Sequence, residues 1–226
     1  MKKLISKFFP EYAWIPTLIC VALNMIAFYG TRLFNSGLYH YSMGTSADAA
    51  IPFVPGFIVI YVLSYIQWGL GFFIIGRESR EFCYRFLSAE IISKLICLVI
   101  FMAIPTVMVR PEVSGTDIFS RLTAFIYAAD TPDNLFPSVH CLESAFFAAA
   151  AVASKKTPAV FKWINALFSV SVFASVLFVK QHVIMDVIGG VALAFIGLLL
   201  AKLFRAERMF NVFRRRNKSN DPREDK

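Results

Sequence analysis

Charged residues are scarce in this chain. Only 17% of its 226 residues are Asp, Glu, Lys or Arg, whereas 58% are hydrophobic, and the mean hydropathy is +0.62. A soluble domain of this size requires more charged surface than that. The composition therefore excludes a soluble domain and indicates that the protein is solvated by a lipid bilayer.

Cysteine and histidine are also few. The four cysteines, at positions 20, 83, 97 and 141, show no paired spacing, so we expect free thiols that act as small apolar side chains. Of the three histidines, His40 has no neighbour at metal-ligand spacing and is predicted to be a solvated loop residue. The first apolar segment is long and lacks a small-residue cleavage site, which argues against a cleavable signal peptide.

Long apolar runs, in contrast, are abundant. Six segments approach the roughly 20 apolar residues that a spanning helix needs: 13–33, 51–76, 86–109, 138–153, 158–179 and 183–204. They predict an all-α integral membrane protein, a six-transmembrane-helix bundle formed by a single domain over residues 1–204. The fourth segment is the shortest. Residues 205–226 are polar and basic, and we expect a disordered cytoplasmic tail.

The distribution of Lys and Arg predicts the orientation in the membrane. If both termini are cytoplasmic, the outer side holds only four of the 23 basic residues: Arg32, Arg110, Arg121 and Lys180. We therefore expect a multi-pass protein of the cell membrane, with Arg110, His140 and His182 at its non-cytoplasmic edge. The net charge of +8 then reflects topology and contacts with anionic membrane lipids, not a nucleic-acid partner.

The last two apolar segments are joined by residues 180–186, with the sequence KQHVIMD. His182 and Asp186 are spaced i, i+4. On a helix this spacing puts the imidazole and the carboxylate on one face, so the carboxylate can hold one ring N–H and leave the other ring nitrogen free. Ionisable groups at a membrane boundary are candidates for a functional site.

Three further stretches place polar groups at the same edge. Ser138 is predicted to cap the fourth helix and leave its first amides free to bind an anion, with His140 beside it. Arg110 follows the third segment, where Pro111 stops the helix. The apolar stretch 118–127 predicts an interfacial helix in the long loop between them. With Lys180, these groups suit phosphoryl transfer without a metal.

The motifs resemble those of a known family. Pro137-Ser138-Val139-His140, followed about forty residues later by Ser175 and His182-x3-Asp186, resembles the second and third signature motifs of the type 2 phosphatidic acid phosphatase (PAP2) superfamily, which are six-helix membrane enzymes. Asp48-x2-Ile51-Pro52-Phe53-x-Pro55, Pro105-x4-Arg110-Pro111 and Lys180-Gln181-His182 further resemble the branch that includes inositol phosphorylceramide synthases and their bacterial relatives.

The resemblance implies roles for individual residues. His182 would be the nucleophile that forms a phosphohistidine, Asp186 would orient it, and His140 would be the general acid. Arg110 and Ser138 would bind phosphate oxygens. Ala103 and Val176 stand where the wider family has a lysine and an arginine, so Lys180 would supply the missing positive charge.

The implied activity is that of a metal-independent lipid phosphatase without a cofactor. Its substrate would be a phosphorylated lipid, either a phospholipid or a polyprenyl phosphate or diphosphate. One alternative is a phosphotransferase, in which the hydroxyl of a second lipid replaces water. Another is a lipid or anion transporter that does no chemistry. The sequence leaves the lipid and the oligomeric state open.

Two readings without phosphoryl transfer also stay open. The polar groups of the outer edge could serve only to cap helices. Alternatively, His182, Asp186 and His140 could bind zinc, although the nearby basic side chains oppose a cation.

Overall fold

The computed structural model describes residues 9–210, which are almost entirely helical. We number the α-helices in chain order. They are α1 (Glu11–Asn35), α2 (Ser46–Ala50), α3 (Ile58–Glu78), α4 (Arg80–Ala103), α5 (Ile118–Ala129), α6 (Val139–Ala153), α7 (Ala159–Phe178) and α8 (Ile184–Phe204). Within α1, Ile26–Gly30 forms a π-helical turn, and short 3₁₀ turns precede α3 and follow α8. Residues 9–210 contain two isolated β-bridges and no β-strand.

Five of these helices, α1, α3, α4, α7 and α8, are long and apolar enough to cross a membrane. The prediction of an all-helical protein with membrane-spanning segments is therefore confirmed at this level. The predicted fourth segment forms α6, but α6 has only 15 residues. It is about 22 Å long, which is shorter than the roughly 30 Å hydrocarbon core of a bilayer.

Local sequence explains where the helices near the site begin and end. The α4 helix ends at Ala103, two residues before Pro105, and not near residue 109 as predicted, because proline disfavours a helical residue before it. Arg110 consequently lies on an extended segment. The predicted interfacial helix is present as α5, whose first amides donate to the side chain of Asp117.

The α4 helix lies at the centre of the fold and packs against α1, α3 and α8, while α6 packs against α3, α7 and α8. Most residues of α4 and α6 are buried. All four cysteines are buried and free, as the sequence predicted. The core therefore depends on close helix packing and on no covalent cross-link.

The connections gather at two opposite ends of the bundle. At one end, Tyr41 pairs with Thr106, and the Val54 amide donates to the Phe178 carbonyl. At the other end, Glu78 accepts hydrogen bonds from Ser154, Lys155 and Lys156. The predicted tail begins at this second end with the 3₁₀ turn Ala206–Phe210, which packs on α4, and its residues 211–226 lie outside the described residues.

Candidate active site

A cavity of about 310 Å³ opens at the first end of the bundle, among α1, α3, α5 and α6. His140 and His182 both line it, with their ring centroids 6.4 Å apart. Its walls are mostly apolar and aromatic, and include Phe28, Tyr65 and Trp68. Two imidazoles therefore face one pocket that is otherwise suited to a lipid chain.

His182 is paired with a buried carboxylate. Its Nδ1 lies 3.3 Å from Asp186 Oδ2, and the same oxygen accepts the Val183 amide at 3.0 Å. His182 is not on the helix, as the i, i+4 argument assumed, because α8 begins only at Ile184. Asp186, in the first turn of α8, contacts a residue that precedes the helix. The contact leaves Nε2 of His182 as the free ring nitrogen.

A tight turn after α7 directs residues 181 and 182 towards the cavity. Lys180 has φ = 50°, in the left-handed region that usually favours glycine. The Gln181 and His182 amides both donate to the Val176 carbonyl, which ends α7. The placement of His182 therefore depends on a non-glycine residue held in an unfavourable backbone conformation.

Aromatic side chains of α3 surround His140. Its ring stacks on Tyr61 with centroids 4.1 Å apart, and the rings of Trp68 and Tyr65 lie at 5.0 Å and 5.3 Å. Its Nε2 is buried and has no hydrogen-bond partner among residues 9–210. The ring orientation is thus fixed by packing, and one nitrogen remains available to a ligand.

Arg110 approaches the site from behind Gln181. Its guanidinium donates to the Gln181 side-chain oxygen and to the Asp130 carbonyl, and lies 4.8 Å from the centre of the Tyr127 ring. Burial lowers the pKa of Arg110 from its ordinary value, and nearby Asp130 opposes this shift. Arginine stays charged in proteins, so this group places a fixed positive charge behind the cavity wall, 4.0 Å from the Asp130 carboxylate that lines the cavity.

The Gln181 side chain connects that charge to the cavity. Gln181 is 1% exposed and lines the cavity wall. Its amide nitrogen has no hydrogen-bond partner within the described part of the chain. Because Arg110 holds the amide oxygen, the amide nitrogen is left as a donor for a ligand.

Lys180 and Asp48 form a separate contact beside the site. The Lys180 ammonium donates to the Asp48 backbone carbonyl at 2.8 Å, while the Asp48 carboxylate accepts the Ile184 amide at 2.7 Å. Burial raises the pKa of Asp48, but hydrogen bonds from Thr45 and Ile184 outweigh it and hold the pKa below its ordinary value. Asp48 therefore caps α8 as well as its own helix α2.

Ser138 caps α6, as predicted, and accepts a hydrogen bond from the Cys141 amide at 3.4 Å. The Ser138 amide donates to the Asp186 carbonyl at 3.0 Å, which joins the starts of α6 and α8. Gly190 permits this approach, since a Cβ there would lie 2.3 Å from the Ser138 carbonyl oxygen. The two motif segments are thus packed backbone to backbone.

The structure brings together part of the predicted site. His140 and His182 line the cavity, Asp186 contacts His182, and Arg110 reaches the cavity wall through Gln181. Lys180 and Ser138 are turned away in the described structure, towards Asp48 and Cys141 respectively.

The sequence did not predict three aromatic residues around His140: Tyr65 and Trp68, which line the cavity, and Tyr61, which stacks on His140. Tyr61, Tyr65 and Trp68 recur at helical spacing on α3, which is a pattern that could have indicated a shared face. Gln181 lies inside a motif that had been singled out, but nothing in that motif indicates its contact with Arg110. Within residues 9–210, no group of three or more His, Cys, Asp or Glu side chains lies close enough together to hold a metal ion.

Comparison with known proteins gives one match. The family model described as PAP2 superfamily matches residues 81–210, which is more than half of the chain and includes His140, His182 and Asp186. No curated protein and no solved structure matches the chain.

Proposed function

Because the chain belongs to the PAP2 superfamily, a family of phosphoric ester hydrolases and related phosphotransferases, we propose that it is a metal-independent lipid phosphatase. The observation that carries the proposal is that His140 and His182 line one lipid-sized cavity and that the Asp186 carboxylate contacts Nδ1 of His182. The substrate is a phospholipid or a polyprenyl phosphate or diphosphate.

His182 is the nucleophile in this proposal. Its Nε2 attacks phosphorus in line, and the bond from phosphorus to the lipid oxygen breaks. Asp186 holds Nδ1–H and stabilises the positive charge that develops on the ring. His140 gives its proton to the leaving lipid oxygen. Water, deprotonated by His140, then releases phosphate from the phosphohistidine.

The phosphate oxygens require donors. Arg110 supplies positive charge, and the unpartnered amide nitrogen of Gln181 supplies a hydrogen bond. The first amides of α6, behind the Ser138 cap, supply further donors. Lys180 contributes if its ammonium leaves the Asp48 carbonyl when substrate binds.

We further propose that the protein is a six-span bundle of the cell membrane with the site on the non-cytoplasmic face and both termini in the cytoplasm. Two observations support this arrangement. The loops that carry the site gather at one end, where basic residues are few. The opposite end carries Arg77, Lys155 and Lys156 together with the turn Ala206–Phe210 that follows α8.

A phosphotransferase is the second candidate. The cavity wall around His140 is aromatic, and His140 itself is 8% exposed. Such a wall limits the access of water and would favour attack by a lipid hydroxyl on the phosphohistidine. A transporter that does no chemistry is the remaining alternative, and loss of turnover in a His182 variant would argue against it.

The test is phosphate release by purified protein in detergent with EDTA, from phosphatidic acid and a polyprenyl diphosphate, with and without a long-chain alcohol or ceramide. We expect release that resists EDTA and is lost in His182→Ala. The half-buried His40, whose Nδ1 lies 2.9 Å from the Leu38 carbonyl oxygen and which does not line the cavity, provides a matched control in His40→Ala. Release that survives in His182→Ala would refute the proposal.

A further inference from the structure

A second polar cluster lies deeper in the membrane-spanning region. Lys94 on α4 forms an ion pair with Glu143 on α6 and lies 3.7 Å from Glu90 on its own helix. Its ammonium also donates to Asn24 on α1 at 2.7 Å. Glu90 is spaced i, i+4 from Lys94, but Glu143 is the closer partner. Three helices thus meet at one buried lysine.

This cluster has more acceptors than donors. Two carboxylates face a single ammonium, which contacts Glu143 and Asn24 and lies 3.7 Å from Glu90. Neither oxygen of Glu90 has a hydrogen-bond partner among the described residues. Glu143 is 3% exposed, and its Oε2 has no hydrogen-bond partner anywhere in residues 9–210. A buried acceptor in this state is unfavourable unless a ligand donates to it.

The unpartnered oxygen belongs to a residue that lines the active-site cavity. Glu143 and Asn24 line the same cavity as His140 and His182, whereas Glu90 is not part of its described wall. Glu143 follows His140 by three residues on α6, so it lies on the same face, about 4.5 Å further along the helix axis. The cavity therefore has imidazoles at its mouth and a carboxylate one turn below them.

We infer that Glu143 Oε2, which lies beside Asn24 in the cavity wall, accepts a hydrogen bond from a donor on the lipid backbone of the substrate. This inference rests on the proposed function, because that function places the phosphate between His140 and His182. A lipid that continues from the phosphate past His140 brings the carbons next to the phosphoester to the level of Glu143.

The site then selects a class of substrate. It takes lipid monophosphates with a free hydroxyl or amide N–H near the phosphoester. Among the lipids proposed above, the site thus narrows the preferred substrates to those with such a donor, and it makes fully acylated glycerol and polyprenyl lipids, which leave the carboxylate unpaired, the weaker ones.

The test measures binding, so that it does not depend on turnover. Its probes are two phosphonate lipids that resist hydrolysis, a monoacylglycerol phosphonate with a free 2-hydroxyl and its 2-deoxy analogue with the same chain. Dissociation constants are measured by calorimetry in detergent. We expect the wild-type protein to bind the hydroxyl lipid about 10-fold tighter or more.

Variants assign that preference to Glu143. In Glu143→Leu the ratio should fall to about one, while Lys94 keeps Glu90 and Asn24 as partners. Glu143→Gln, which conserves shape, should show an intermediate ratio. Glu90→Gln is the matched control, because it removes a carboxylate from the same cluster without altering the cavity wall, and it should keep the wild-type ratio.

The outcomes separate the two proposals. Equal binding of both probes by the wild-type protein overturns the inference even if Glu143→Leu cannot be purified. A preference that persists in Glu143→Leu also overturns it, and a lowered melting temperature alone would assign the cluster a structural role. If the dissociation constants show the expected ratios but no lipid releases phosphate, the result would support the binding site and contradict only the proposed phosphatase activity.

Discussion

The two parts of the described chain, residues 9–80 and residues 81–210, contribute differently to the cavity. The second part matches the PAP2 superfamily and carries both imidazoles, Asp186 and Arg110. The first part lies outside the match, yet its helices α1 and α3 form much of the cavity wall. In the proposed function, the second part supplies the chemistry and the first part shapes the space for the lipid.

Hydrogen-bond and aromatic contacts join the two parts. Asp48 accepts a hydrogen bond from the first amide of α8, and Tyr61 stacks on His140. Arg32 forms ion pairs with Asp130 at 3.0 Å and with Asp133 at 2.6 Å. The first part therefore also holds the proposed catalytic groups in position. Variants of the second part should lower kcat, whereas variants of the first part should change KM, substrate preference or stability.

The largest effect is expected from His140→Ala. Loss of the general acid should lower kcat by about 10²–10⁴-fold for a lipid alcohol leaving group. Release of the leaving group in the first turnover should be slowed much less for p-nitrophenyl phosphate, whose leaving group needs no proton, although hydrolysis of the phosphohistidine still needs His140 as base. Burst kinetics with both substrates checks this, with His40→Ala as the control. An equal slowing of the first turnover on both substrates would contradict the role of general acid.

Gly190→Ala should be next in size. The added Cβ would lie 2.3 Å from the Ser138 carbonyl oxygen, and neither backbone can move without separating α6 from α8. We expect a loss of about 1–3 kcal/mol in unfolding free energy, seen as a lower melting temperature in detergent, together with lower activity.

Gly69→Ala is the matched control for this variant. A Cβ at Gly69 on α3 meets no atom of the described chain within 4 Å. A change of equal size in both variants would show that the α6–α8 contact is not the cause.

Trp68→Leu tests the first part of the chain. Trp68 lines the cavity and packs against His140, so its loss removes wall area that a lipid chain would cover. We expect kcat/KM for a long-chain substrate to fall about tenfold, mainly through KM, with little change for p-nitrophenyl phosphate. Trp163→Leu, at an exposed position on α7, should leave both unchanged. A fall in kcat with no change in KM would contradict a role of Trp68 in substrate binding and indicate a role in catalysis.

The smallest effect is expected from Asp48→Asn. Hydrogen bonds hold the pKa of Asp48 below its ordinary value of 3.8, so its carboxylate stabilises the fold at neutral pH. The variant should lose about 1 kcal/mol there. The stabilisation disappears as the pH falls through the lowered pKa, so the two proteins should converge in strongly acidic solution.

Thermal unfolding of both proteins across this pH range checks the prediction. Glu112→Gln, at an exposed loop position, is the control and should not change the melting temperature. A constant difference between Asp48→Asn and the wild-type protein at every pH would contradict the electrostatic cause.

The sequence could predict features that depend on local spacing. The apolar runs give the helices, Ser138 precedes α6 as its cap, and the spacing of His182 and Asp186 anticipated their contact. The detail of that contact differed, because residues 180–183 form a turn and not the first turn of a helix.

Features that depend on packing between distant segments could not be predicted. Arg110 meets Gln181, Lys94 meets Glu143, and Lys180 meets Asp48, each across at least 49 positions of sequence. Such contacts follow from how the helices rotate and approach one another, which hydropathy does not specify. Glu143 could nonetheless have been singled out, since an ionisable residue in an apolar helix is a functional candidate.

The central claim is that His182 carries the phosphoryl group during turnover. The most direct test is to mix the protein with a substrate labelled with ³²P, quench it within milliseconds in alkali, and locate the label by peptide mass spectrometry. Our account predicts a phosphohistidine at His182 in the wild-type protein and no labelled protein or phosphate release in His182→Ala. Label on another side chain, or phosphate release that persists in His182→Ala, would contradict it.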